Sequence, residues 1–123
     1  MMTTRGIRGA ITVDANEENL ILDATIVLLN EIVAQNRVAP EDIACVWVTV
    51  TQDLDATFPA RAIRQMPGWE LVPLMCSVEI PVKGSLQRCI RLMVLVNTEV
   101  SQKQIHHVYM GGATALRPDL AES

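Results

Sequence analysis

The stretch Cys89-Ile90-Arg91-Leu92-Met93-Val94-Leu95-Val96 is an apolar run interrupted by a single arginine. Period-2 alternation places Ile90, Leu92, Val94 and Val96 on one face of a strand and Cys89, Arg91, Met93 and Leu95 on the other. Neither set is otherwise polar, so the pattern predicts a strand covered on both sides, with Arg91 inside. A guanidinium keeps its proton, and out of water it needs an anion or loses several kcal/mol of hydration. Either the chain supplies a carboxylate or a ligand does.

Working outward, Gly6 to Val13 reads as a first strand, with Ile7, Ile11 and Val13 on one side and Gly6, Arg8, Ala10 and Thr12 on the other. Small neighbours leave space around Arg8, and an edge arginine in water accounts for it from the strand alone. Asp14 and Glu17 have the spacing of an N-cap and its reciprocal glutamate, opening a helix to about Asn36. Leu22, Ile26, Leu29 and Val33 form its stripe, widened by Ile21, Leu28 and Ile32, so the helix lies on a sheet. Ile43 to Thr51 is a second, β-branched strand. Ala44, Val46, Val48 and Val50 face the core, while Cys45, Trp47 and Thr49 lie on a second face that also needs cover, which points to a partner subunit.

Pro59 starts a short helix to about Met66 carrying Arg61 and Arg64 on neighbouring parts of one face. Two solvated arginines are the plain structural alternative there. Leu71 to Val78 is a third strand, interrupted by Pro73 and hence irregular or at an edge, with Glu79 at its end. Cys89 to Asn97 is the fourth strand. Ser101 to Gln104 makes one helical turn, His106 to Met110 a short fifth strand, and Gly111-Gly112 a turn or hinge. The adjacent His106 and His107 would point to opposite faces, a poor metal site. The order β-α-β-α-β-β-β predicts an α+β fold, a mixed β-sheet with one long and one short helix on one face. Residues 1–123 are expected to form one domain with a flexible C-terminal tail from about residue 112.

Half of the 123 residues are hydrophobic, ample for one core. A formal charge of −4 without a Lys/Arg cluster argues against nucleic acid as a partner. No apolar run has membrane-spanning length, and the N-terminus lacks the features of a signal peptide. Cys45, Cys76 and Cys89 lack metal-ligand spacing and read as free thiols in a reducing, cytoplasmic setting.

Phosphate-cradling glycine loops, dinucleotide fingerprints and nucleophile elbows are missing from the sequence. What remains are Arg8, Arg61, Arg64, Arg91 and Arg117, beside Glu79, Cys76 and Tyr109. Such a set suits a small molecule with several carboxylates and a reaction that needs positioning and charge stabilisation. The alternative is a structural ion pair between Arg91 and Glu79, of a kind that adds little net stability. Pattern alone leaves both open.

Five segments, taken in order, resemble the monofunctional trimeric α/β class of chorismate mutases: Arg5-Gly6-Ile7-Arg8-Gly9-Ala10, Phe58-Pro59-Ala60-Arg61-Ala62, Pro73 to Glu79, Cys89-Ile90-Arg91, and His107-Val108-Tyr109 with Leu116-Arg117-Pro118-Asp119-Leu120. The resemblance runs from about Arg5 to Leu120. It implies a pseudo-α/β-barrel homotrimer with active sites between subunits. The implied reaction is the rearrangement of chorismate to prephenate on the route to phenylalanine and tyrosine, with no cofactor or metal.

On that resemblance, Arg91 matches the arginine that meets the ether oxygen and a carboxylate. Glu79 matches the acceptor for the ring hydroxyl, with Cys76 beside that contact. Arg8 and Tyr109 match residues holding the side-chain carboxylate. Phe58, Arg61, Arg64, Leu116 and Arg117 match residues that line or close the pocket, and Met75 to Glu79 adds backbone contacts. Met75 departs from a smaller polar residue found in relatives, Arg61 replaces a lysine as readily expected, and Gly111-Gly112 makes the approach to the tail more flexible. In the implied [3,3] shift, negative charge grows on the ether oxygen as C–O breaks, so a fixed cation there lowers the barrier, by roughly 3–4 kcal/mol per donor. Holding the enolpyruvyl arm over the ring adds an entropic part. A trimeric imine or enamine deaminase and a non-catalytic binder of an aromatic-pathway metabolite are the competing readings.

Overall fold

The computed structural model describes residues 2–116. Five strands form one mixed sheet: β1 (Thr3–Thr12), β2 (Ile43–Val50), β3 (Leu74–Val78), β4 (Cys89–Thr98) and β5 (Val108–Tyr109). Their order across the sheet is β3-β2-β4-β1-β5. The apolar run that contains Arg91 is thus the central strand. It pairs antiparallel with both β1 and β2, while β3 and β5 add in parallel at the two edges. Two helices, α1 (Glu18–Asn36) and α2 (Ala60–Arg64), complete the expected element order.

Alternation along the paired strands builds the main core. Ile7, Val46, Val48, Ile90, Leu92, Val94 and Val96 are buried together against Ile21, Leu28, Leu29 and Ile32 of α1 and Ile63 of α2. Both helices therefore cover the same face. The close fit depends on Gly9: a Cβ there would stand 2.5 Å from Cδ1 of Ile32.

Several expectations are corrected. The helix begins at Glu18 with Glu17 as its N-cap and no side-chain cap, so Asp14 does not start it. Asn16 instead binds outward, its amide donating to Asp55 at 2.7 Å and its oxygen accepting from the backbone of Asp55 and Ala56. The buried line on α1 is Ile21, Thr25, Leu28, Leu29 and Ile32. Leu22, Ile26 and Val33 sit half-buried at its side, while Ile32 and Leu28 face Gly9. Thr25 is tolerated there because its hydroxyl donates to the Ile21 carbonyl at 2.7 Å. Ala44 is exposed, since a register shift between Ile43 and Cys45 bulges it out of the ladder. The fifth strand shrinks to two residues because His106 is bonded elsewhere. Its N–H and C=O are both taken by the side-chain amide of Asn36, at 2.8 Å each.

Candidate active site

The face away from α1 and α2 carries the chemistry. Arg91 lies opposite Thr49 of β2 and Ala10 of β1, and Ala10 in turn lies opposite Tyr109 of β5. The small side chain of Ala10 leaves room between Arg91 and Tyr109. Arg8, one step along the same side of β1, faces Met93. Glu79 follows β3 directly and is tied to the sheet by its N–H, which donates to the Val50 carbonyl at 2.9 Å. Together Arg8, Trp47, Thr49, Glu79, Arg91 and Tyr109 line a cleft of about 170 Å³.

Arg91 is not enclosed. Its side chain is 46% exposed, against 25% for Glu79. The expectation of a strand covered on both sides holds only in part among the described residues: Ala113, Leu86 and Leu116 pack over Ala10 and Cys89 at one end of this face, but Trp47 and Met93 are exposed beside the arginine. Arg91 does meet Glu79, through Nε at 3.5 Å from Oε2. That same Oε2 accepts a short hydrogen bond from the Thr49 hydroxyl. The structural pair therefore exists in a loose form, a single contact rather than a bidentate fork. Arg8 is no edge residue in water: its strand lies between β4 and β5. Its backbone N–H donates to Nδ1 of His107 at 2.9 Å.

Phe58, Arg61 and Cys76 come together elsewhere, in a cleft of about 540 Å³ that Thr57 and Ser77 also line. Cys76 pairs in register with Val48 and packs against the main core, so it sits on the opposite side of β3 from Ser77. Arg61 is held by Glu18 at 2.6 Å and by the Thr57 hydroxyl at 2.7 Å. Arg64 is exposed on α2, and Met75 is exposed opposite Trp47. Leu116 packs on a small cluster of Ala10, Cys89, Tyr109 and Ala113. Gly112 reaches β1, its N–H donating to Thr12 Oγ1 at 2.9 Å. Arg117 and the rest of the tail lie outside the described residues.

The sequence-based site therefore divides on one chain. Arg8, Glu79, Arg91 and Tyr109 converge, whereas Phe58, Arg61 and Cys76 form a second group. Thr49 was missed as a member of the first group, and His107 as the acceptor that holds the Arg8 backbone beside it. Alternation already put Thr49 on the outward face, but its link to Glu79 depends on the parallel pairing of β2 and β3, which no local pattern encodes.

Burial pushes the Cys89 thiol up from its ordinary 9.0 to about 11; nearby Arg91 opposes that shift, while Glu79 and Asp53 add to it. Cys89 is consequently a protonated filler below the site rather than a nucleophile. All three cysteines are free. Among the described residues no group of three or more His, Cys, Asp or Glu could hold a metal ion, and no helix is long and apolar enough to cross a membrane. What the first cleft offers is two guanidinium groups, a carboxylate acceptor and a phenol around an open space, which can bind carboxylates and stabilise a developing oxyanion.

The family model described as chorismate mutase type I matches residues 4–120. Chorismate mutase AroH of Bacillus subtilis is 47% identical over 120 residues, covering 98% of this chain and 94% of that protein. Chorismate mutase AroH of Thermus thermophilus is 47% identical over 117 residues, covering 94% and 95%. Among solved structures, a chorismate mutase from Clostridium thermocellum superposes with a TM-score of 0.87 at 48% identity, over 89% of this chain and 97% of that one.

Proposed function

The chain belongs to the chorismate mutase type I family, and we propose that its reaction, the rearrangement of chorismate to prephenate, takes place against Arg91 on the sheet face away from α1 and α2. The observation that carries this reading is the state of Arg91. It has one loose carboxylate contact, is half exposed, and shares an open cleft with Arg8. A cation held so loosely can transfer its attention to a substrate oxygen.

Arg91 then stands beside the ether oxygen and one carboxylate. As the C–O bond breaks ahead of C–C formation, charge gathers on that oxygen and the contact strengthens, which is the condition for lowering the barrier. Glu79 accepts from the ring hydroxyl. Arg8 and Tyr109 hold the side-chain carboxylate and fold the enolpyruvyl arm over the ring, contributing the entropic part. No proton needs to move, and no residue is asked to act as a base.

The site is completed by a neighbouring copy in a homotrimer, the sheets packing about the threefold axis as a pseudo-α/β-barrel. Exposed Trp47, Met75 and Met93 on the bare sheet face support this, because an uncovered apolar face of a sheet is costly in water. Phe58, 68% exposed, supports it too. In this arrangement the group of Phe58, Arg61 and Cys76, with Arg64 and Met75 near its rim, closes over the Arg91 cleft of the adjacent subunit. Leu116, packed beside Tyr109, stands at the mouth. Free thiols agree with a cytoplasmic enzyme.

The test is direct. Purified protein mixed with chorismate should consume its ultraviolet absorbance and yield prephenate, with no added metal or cofactor. Chorismate left unchanged, or a different product, contradicts the reading.

A further inference from the structure

We propose that Thr49 is a positioning residue that keeps Glu79 from collapsing onto Arg91, an inference that rests on the function proposed above. Thr49 sits at the crossing of two registers: it lies opposite Arg91 on β4 and opposite Ser77 on β3. Its hydroxyl donates to Oε2 of Glu79, and the same oxygen stands 3.5 Å from Nε of Arg91. No described residue bonds Oε1.

A carboxylate near a guanidinium gains most by turning both oxygens to the fork. Here one oxygen is already engaged by a hydroxyl from the strand between β3 and β4. Turning both oxygens to the fork would draw Oε2 away from the Thr49 hydroxyl, so this charge-assisted bond offsets part of what a bidentate pair would gain. Thr49 thus holds Glu79 in a geometry with a single loose contact to Arg91. Two consequences follow for the substrate. The far side of the guanidinium stays available for the ether oxygen and carboxylate, and Oε1 stays available for the ring hydroxyl.

Without the hydroxyl, Glu79 competes with chorismate for Arg91 in the free enzyme. The cost therefore falls on KM more than on kcat. Thr49→Val keeps the β-branched shape and removes the donor, and Thr49→Ser restores the donor without the methyl. Steady-state kinetics of chorismate consumption should give a KM raised about tenfold for Thr49→Val, with kcat within about threefold of the parent, and a KM near the parent value for Thr49→Ser. In a Glu79→Gln background, where no carboxylate can pair with Arg91, Thr49→Val should add nothing to KM. The inference is overturned by a Thr49→Val enzyme with parental KM, by a serine variant as impaired as the valine one, or by an undiminished valine effect in the Glu79→Gln background. Failure of the parent enzyme to make prephenate would instead remove the underlying reading, so the two are told apart.

Discussion

Arg8 and His107 are joined by a hydrogen bond from a backbone N–H to a ring nitrogen, 2.9 Å from Arg8 N to His107 Nδ1. It lies one step before β5 begins to pair with β1 at Gly9 and Val108. The imidazole does there what a strand carbonyl would do, and Nδ1 can accept only while it carries no proton. It fixes the backbone at Arg8 and, two residues beyond His107, the start of Tyr109. His107→Leu should raise KM for chorismate about fivefold as the acceptor for the Arg8 N–H is lost. His107→Asn, whose amide oxygen can accept at similar reach, should recover most of the loss in the same steady-state assay.

The packing of α1 on β1 gives a stability prediction. A Cβ on Gly9 would stand 2.5 Å from Ile32 Cδ1 and 3.2 Å from Leu28 Cδ1. Both side chains are fully buried, so they can make room only by repacking the core. Gly9→Ala should cost about 1–3 kcal/mol as an overpacked contact, read as a lower midpoint in chemical denaturation. An unchanged midpoint would mean that α1 can lift without penalty.

Cys89 gives a pH dependence. In the folded chain the thiol keeps its proton to about 11, against an ordinary 9.0. Between those values the unfolded chain binds fewer protons, so stability falls as pH rises through the window and is untouched by this group below it. The full effect is roughly 3 kcal/mol, about 1.4 per unit. Unfolding free energies followed from neutral to strongly alkaline pH should show this decline in the parent protein. The decline should be smaller in Cys89→Ala, whatever that variant loses at neutral pH.

The strands and helices were legible because their signals are local. The alternation around Arg91 and the β-branched run from Ile43 to Val50 each announce an element without reference to the rest of the chain. Errors arose where a distant partner decided the outcome. Asp14 fits a cap by spacing, yet Asn16 is drawn to the loop at Asp55 and Ala56 and the helix starts later. The Asn36 side chain, 70 residues away in sequence, takes both backbone groups of His106 and shortens β5. The same distinction applies at the site. Arg8 and Arg91 stand out as cations in apolar strands, whereas Thr49 is an unremarkable strand residue until Glu79 is placed beside it. The exposure of Arg91 within one chain was not legible, because an apolar face reads the same whether its own chain or a partner would cover it.

That difference can be tested by mixing. If Arg91 of one subunit works with Arg61 of its neighbour, Arg91→Ala and Arg61→Glu trimers should each be nearly inactive. Unfolded together in equal amounts and refolded, they should regain activity at about a quarter of the sites, the fraction expected when the two halves of each site come from different, randomly assorted chains. A mixture no more active than its components would place both groups on one chain.

If Arg91 stabilises charge on an oxygen as a bond breaks, its planar guanidinium must be fixed in place. The most direct measurement is kcat of Arg91→Lys at saturating chorismate, with the oligomeric state checked by sedimentation. A loss of several orders of magnitude is expected, in an assembly of unchanged size. Turnover close to that of the parent protein would contradict it.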